Sequence, residues 1–216
     1  VSDKVRLFVG VRVSMEALAE LTELRRTLAR RADDAGLKVR WVAPATYHVT
    51  LAFLGWSRSE VVEPLRDRIG DALAGQRRFR FTGNGLGAFP RPDKARVVWA
   101  GVSDGGELAE LAGRVGRAAG ELGFAIDDRP FHPHVTLGRC RKVADLSELL
   151  LPYAEQAFSE TSVESVILFE SIMKSSGSEY VERASWGLEA ASKDRKRQTD
   201  GLDPSLTGHS STPGED

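Results

Sequence analysis

The sequence predicts an α+β fold of two pseudo-symmetric lobes around a central cleft, and three observations carry that prediction. The tetrapeptide His-Val-Thr-Leu occurs twice, at His48–Leu51 and His134–Leu137, with 86 residues between equivalent positions. The same succession of strand, helix, short strand, motif strand, helix and strand surrounds each copy. That period is too long for a solenoid, whose repeats run to about 20–50 residues, so two related lobes fit better, with the motif strands lining the cleft between them.

The elements follow from periodicity, taken in chain order. Arg6–Val13 alternates around Leu7, Val9 and Val11 and reads as a strand. Met15–Arg31 carries Leu18, Leu21, Leu24 and Leu28 at helical spacing. Lys38–Val42 is a short extended piece before Pro44, and His48–Leu54 is the first motif strand. Ser59–Leu73 is a helix with Val62, Leu65, Ile69 and Leu73 on one stripe and Ser59 as its cap. Phe79–Leu86 is a strand, and the glycine run Gly83-Asn84-Gly85-Leu86-Gly87 marks its end turning into a loop.

The order then recurs. Arg96–Val102 is a strand whose Ala100-Gly101-Val102 echoes Val9-Gly10-Val11, and Glu107–Leu122 is a helix. Phe124–Asp127 leads through Pro130 into the second motif. Leu146–Tyr153 reads as a helix, Val163–Met173 as a long apolar strand and Glu179–Leu188 as the last strand. Residues 1–190 are expected to form one two-lobed domain. Residues 191–216 change composition towards Ser, Gly, Pro, Asp and Lys/Arg, which predicts a disordered tail. His209 in that tail should have no role, and the Lys193–Arg197 cluster reads as a solvated charge run before it reads as an RNA tether.

Composition narrows the function classes. With 41% hydrophobic and 28% charged residues the chain reads as globular, and no apolar run approaches the roughly 18–20 residues that span a bilayer. Charged residues interrupt Val1–Val13, which therefore resembles neither a signal peptide nor an anchor. The single Cys140 cannot form an internal disulfide, which fits a cytoplasmic setting. A formal net charge of −1 argues against non-specific duplex binding, so any contact with nucleic acid should be local, as at an end.

Only four histidines occur in the chain, and two of them head the repeated tetrapeptides. Residues two apart on a strand share a face, so His48 projects with Thr50 and His134 with Thr136. Two imidazoles with ordinary pKa values near 6.5 can divide the roles at neutral pH: one neutral and accepting a proton, one charged and donating it. Threonine hydroxyls can donate to phosphate oxygens. This set suits transfer of a phosphate ester without a metal or other cofactor. Core packing alone gives no reason for histidine at both places.

On these residues the chain resembles the 2H phosphoesterase superfamily, whose signature is a pair of His-x-Thr/Ser-x motifs. It is similar more narrowly to the bacterial and archaeal RNA 2′,3′-cyclic phosphodiesterases, also called 2′-5′ RNA ligases, over about Arg6–Leu188. The narrower likeness rests on Arg6-Leu7-Phe8-Val9, Trp41-Val42 and the run His48 to Gly55. It continues through Gly85 to Pro92, Val98 to Val102 and Pro133 to Arg139. The resemblance implies a LigT-like fold with antiparallel sheets and outer helices, and metal-independent hydrolysis of RNA 2′,3′-cyclic phosphate ends to 2′-phosphates. It also implies His48 as proton donor to the leaving 3′ oxygen, His134 as the acceptor that activates water, and Thr50 and Thr136 as phosphate holders. Joining of RNA ends through 2′-5′ linkages would be the same chemistry with a hydroxyl nucleophile. The expected partner is an RNA end, with no membrane, and the expected state is a monomer.

Three further residues are candidates for substrate binding. Arg139 ends the second block, where the family often has arginine. Strict alternation sets it opposite His134 and Thr136, so it reaches the cleft only if Gly138 makes a bulge. Phe53 holds the equivalent place after His48; it can stack on a base, although a core aromatic is the simpler reading. His132, biased to an extended conformation by Pro133, can face the cleft. It departs from the common pattern, and the His-x-His pair has no supporting ligand motif for a metal. Arg91, Lys94 and Arg96 read as a solvated loop. The rivals are a phosphodiesterase for 2′-5′ oligonucleotides or small cyclic nucleotides, an RNA-end binding module without turnover, and a metal-dependent hydrolase.

Overall fold

The computed structural model describes residues 3–125, 129–175 and 177–190. Its strands are β1 (Lys4–Arg12), β2 (Val39–Trp41), β3 (His48–Arg58), β4 (Phe79–Phe89), β5 (Ala95–Ser103), β6 (His134–Ala144), β7 (Ala157–Val163), β8 (Ser165–Lys174) and β9 (Gly177–Gly187). The helices are α1 (Met15–Asp34), α2 (Val62–Leu73), α3 (Glu107–Gly120) and the single turn α4 (Ser147–Leu150). Among the described residues no helix is long and apolar enough to cross a membrane.

The strands form one sheet in the order β7-β4-β5-β6-β3-β1-β8-β9, with β2 added on β6. The named strands pair antiparallel throughout. The two lobes are the halves of this sheet: β3-β1-β8-β9 mirrors β6-β5-β4-β7 about the junction of the two motif strands. Each repeat gives its closing strand to the other half, since β4 pairs with β5 and β8 pairs with β1. The motif strands meet at one Cα pair, Val49 opposite Val135, and then diverge.

The helices cover one face. Leu21, Leu24 and Leu28 of α1, Leu65 and Ile69 of α2, and Leu108, Leu111 and Val115 of α3 share a single apolar core with Leu7, Val9, Val49, Leu51, Val135 and Leu137. The opposite face carries the motif His and Thr side chains, as period-2 alternation requires.

Several boundaries differ from the sequence reading. α1 is capped by Ser14, whose Oγ accepts from the Ala17 amide at 3.1 Å, and it runs on to Asp34. Ser59 is not a cap: Ser59–Val61 forms a 3₁₀ turn, α2 starts at Val62, and the Ser59 amide donates to the Asp3 carbonyl. Leu146–Tyr153 divides into α4 and a 3₁₀ turn, Leu151–Tyr153, that carries Pro152 in its first turn. Ala157–Val163 is a strand with little apolar signal, because Thr161 takes a core position and accepts from the Ser14 amide.

The glycine run is not a strand end. β4 continues through it to Phe89, with a bulge between Gly83 and Leu86. Gly87 is needed there because the Trp99 indole abuts it; a Cβ would stand 2.3 Å from that ring. The echo between Gly10 and Gly101 is displaced by two residues, since Gly10 opposes Thr50 whereas Gly101 opposes His134. Part of Phe124–Asp127 and all of residues 191–216, including His209 and Lys193–Arg197, lie outside the described residues.

Candidate active site

Both motif strands begin at their histidine, and each imidazole is fixed by the chain just before it. His48 Nδ1 donates to the Thr46 carbonyl at 2.7 Å, and His134 Nδ1 donates to the His132 carbonyl at 2.7 Å. A carbonyl only accepts, so the proton of each neutral ring sits on Nδ1. Nε2 is left unprotonated in both neutral rings. The Thr50 hydroxyl donates to His48 Nε2 at 2.9 Å. Among the described residues no such bond links His134 to Thr136. The duplicated tetrapeptide thus delivers two imidazoles in one tautomer, each oriented by a backbone carbonyl two residues upstream.

Each ring stands against an aromatic wall. Around His48 these are Phe8 at 4.7 Å between centroids, Tyr180 at 5.3 Å and Phe169 at 6.1 Å. Around His134 they are Phe89 at 5.0 Å, His132 at 6.3 Å and Trp99 at 6.4 Å. Arg12, opposite His48 in register, forms an ion pair with Glu182 and lies over the Phe169 ring at 5.3 Å.

Both imidazoles are biased towards the neutral form. Burial is the main reason that His48 falls from 6.5 to about 4. The bond to the Thr46 carbonyl opposes the fall, while the charges of His134, Arg12 and Arg139 add to it. His134 is also lowered, first by burial and then by the charges of His132 and Arg139, against the bond to the His132 carbonyl. The hydroxyl of Tyr180 is raised by burial, and Arg139 and Arg6 both oppose that rise.

A stability prediction follows from His48. In the unfolded chain its imidazole titrates near 6.5; in the fold it does so at about 4. Between those values the unfolded state binds the extra proton, so stability is whole above about pH 6.5 and is lost as pH falls towards 4, by up to roughly 3 kcal/mol. Urea unfolding at pH 7 and pH 4.5 checks this. His48→Gln should lose less stability over that interval than wild type, and equal losses would contradict the assignment.

The structure brings the other sequence candidates to the same face through a feature alternation does not contain. β6 has one extra residue against β5, where Val98 opposes Gly138 and Trp99 opposes Thr136, leaving Leu137 unpaired. β3 repeats this at the equivalent Leu51, where Val9 opposes Ala52 and Gly10 opposes Thr50. Each bulge shifts the phase by one. Arg139 therefore shares the face of His134 and Thr136, and Phe53 shares that of His48 and Thr50. Phe53 is 56% exposed, so the core reading of this side chain is corrected. The Arg6 guanidinium lies 4.8 Å over its ring.

His132 is exposed beside Trp99 and Phe89, with ring centroids 4.9 and 5.4 Å away. No cluster of three or more His, Cys, Asp or Glu that could hold a metal occurs among the described residues. Arg91 is paired with Asp93 at 2.8 Å in the β4–β5 connection. Sequence reasoning missed the aromatic walls and the Arg12–Glu182 pair. Phe8, Gly10 and Arg12 do alternate along β1, but only the register with β3 shows which face they take.

The chain is similar in sequence and fold to known proteins of one family. The family model for LigT like phosphoesterase matches residues 11–99 and 101–180. The RNA 2′,3′-cyclic phosphodiesterase of Aeropyrum pernix is 38% identical over 184 residues, covering 82% of this chain and 99% of that protein. The protein of the same name from Archaeoglobus fulgidus is 33% identical over 177 residues, 82% of this chain and 96% of that one. The crystal structure of Escherichia coli LigT complexed with 3′-AMP superimposes with a TM-score of 0.68 at 25% identity, over 86% of this chain and 98% of that one.

Proposed function

Because the chain belongs to the LigT-like phosphoesterases, we propose that it hydrolyses the 2′,3′-cyclic phosphodiester at the end of an RNA to a 2′-phosphomonoester. The observation that carries this reading is the pair of imidazoles held in one tautomer by the Thr46 and His132 carbonyls. The named activity of the A. pernix and A. fulgidus relatives supports the substrate, and the 3′-AMP complex of E. coli LigT supports a nucleotide as the class of ligand.

In the proposed reaction, water attacks phosphorus and gives its proton to His134 Nε2. The P–O3′ bond breaks, and His48 Nε2 protonates the departing 3′ oxygen. The products are a 2′-phosphate and a free 3′-hydroxyl, and solvent returns the two imidazoles to their starting states. Thr50 and Thr136 donate to the non-bridging oxygens, and Arg139 offsets the charge that gathers there. The donor and acceptor assignment rests on the family resemblance.

Burial and the neighbouring cations disfavour an imidazolium at either ring. A phosphate anion between the rings reverses that bias, because a nearby opposite charge favours the protonated form. His48 is then charged when substrate is bound, and its low intrinsic pKa makes it a ready donor. No step uses a metal. If the 5′-hydroxyl of a second RNA replaces water, the same attack forms a 2′-5′ phosphodiester. The proposal includes a cytoplasmic monomer, consistent with one buried, unpaired thiol at Cys140.

The test is a short RNA ending in a 2′,3′-cyclic phosphate, incubated with the protein in excess EDTA, with 2′- and 3′-phosphate products resolved. A 2′-phosphate is expected. A 3′-phosphate would reverse the bond that breaks. Tight binding without turnover would replace the enzyme with an RNA-end binding module, and activity lost to EDTA would bring in a metal.

A further inference from the structure

The face that carries His48 does not stop at the histidine. Cross-strand partners in a sheet share a face, and the β1–β3 register sets out that face in order: Arg12 opposite His48, Gly10 opposite Thr50, Phe8 opposite Phe53, Arg6 opposite Trp56 and Lys4 opposite Arg58. Beyond Thr50 the series alternates aromatic and basic side chains and contains no carboxylate. At about 3.3 Å per residue, Arg6 and Trp56 lie roughly 20 Å along the strands from His48.

Phe53 is 56% exposed and Trp56 is 64% exposed, the largest aromatic surfaces among the described residues. Arg6 is held between them and the neighbouring strand: its guanidinium covers the Phe53 ring at 4.8 Å and donates to Ser171 Oγ at 3.2 Å. Exposed aromatic rings interleaved with guanidinium groups suit one class of ligand, an unpaired nucleic-acid strand. Its bases stack on the rings in a sequence-tolerant way, and its phosphates meet the cations.

Resting on the RNA-end reading above, we infer that Phe53, Arg6, Trp56 and the Lys4–Arg58 pair form a track for the nucleotides on the 5′ side of the reacting end of a single-stranded RNA. A 2′,3′-cyclic phosphate terminates the 3′ end, so the rest of the polymer must leave the site in one direction. The two motif strands are antiparallel and diverge from Val49 and Val135, which offers two exits. The exit over β6 passes Arg139 and Arg40, paired in register, and then the exposed Arg141 on β6; among the described residues it lacks an exposed large aromatic. The exit over β1 and β3 carries both cations and stacking surfaces. The near-neutral chain thus concentrates its RNA-binding chemistry on one half of the sheet, and a duplex, whose bases are already stacked, gains nothing from the rings.

The experiment compares 2′,3′-cyclic AMP with a short unstructured RNA that ends in the same cyclic adenosine. Wild type, Trp56→Ala, Arg6→Gln and the double variant Arg40→Gln/Arg141→Gln are assayed on both. Trp56→Ala should lower kcat/KM on the oligonucleotide roughly ten-fold, mainly through KM, and leave cyclic AMP within about two-fold. Arg6→Gln should act on the oligonucleotide in the same direction. Equal losses on both substrates, or no loss on either, overturn the track. A selective loss in Arg40→Gln/Arg141→Gln alone places the RNA on the other half and also overturns it.

Binding of the same RNA, carrying a 2′-phosphate end and a 5′ fluorophore, is read in parallel by anisotropy. This separates the two proposals. Without turnover of either substrate the hydrolytic reading fails, while the track still requires wild type to bind about ten-fold tighter than Trp56→Ala. Because Trp56 is mostly exposed, its replacement should leave the unfolding midpoint unchanged.

Discussion

Replacing His48 or His134 with alanine is expected to lower kcat/KM on a cyclic-phosphate RNA end by about 10²–10⁴-fold in each case, the usual range for general acid–base groups. The double variant should be little worse than the weaker single one, because residues that act as a unit are not additive. Both rings are half-buried against aromatic walls, so unfolding midpoints must accompany the kinetics. The two roles separate with an aryl phosphodiester whose leaving group needs no proton. His48→Ala should retain activity on that substrate, and His134→Ala should not. Retention in His134→Ala instead would exchange donor and acceptor, and full activity of both variants on RNA would remove the paired-histidine mechanism.

Gly10→Ala is expected to disable the site without replacing a proposed catalytic group. A Cβ at Gly10 would stand 2.7 Å from the Val49 carbonyl oxygen and 3.3 Å from His48 Cδ2. The first contact is with backbone, so the motif strand itself must shift. Overpacking of this kind costs about 1–3 kcal/mol, and a displacement near 1 Å at a reacting group can cost about 10²-fold in rate. Gly187→Ala is the control, since a Cβ there meets nothing within 4 Å and its φ is not positive. Denaturant midpoints and kcat for the two variants decide the matter. A fully active Gly10→Ala would mean that the strand moves without carrying His48 out of place.

Much of the fold could be read from local pattern, and the failures have physical causes. Helices α1, α2 and α3 announce themselves because three or four apolar side chains per stripe survive into a single core. β7 was missed because Thr161 fills a core position with its hydroxyl bonded to the Ser14 amide, so burial there has no apolar signature. β4 was cut short because a run of glycines reads as a loop, whereas Gly87 serves a packing need created by Trp99, twelve residues further along the chain.

The candidate site divides in the same way. The sequence by itself determined the duplicated architecture, the two His-x-Thr pairs and the faces on which each pair projects. Those properties are local, set by a period of two along a strand and by the identity of the repeated residues. Only the tertiary structure decided that each repeat lends its closing strand to the other half, that the bulges at Leu51 and Leu137 turn Phe53 and Arg139 towards the histidines, and that Phe8, Phe169 and Tyr180 wall in His48. A bulge is a mismatch between two strands, and burial of an imidazole depends on residues more than a hundred positions away. Neither is a property of the segment that bears it, so neither can be read until the partner strand is in place.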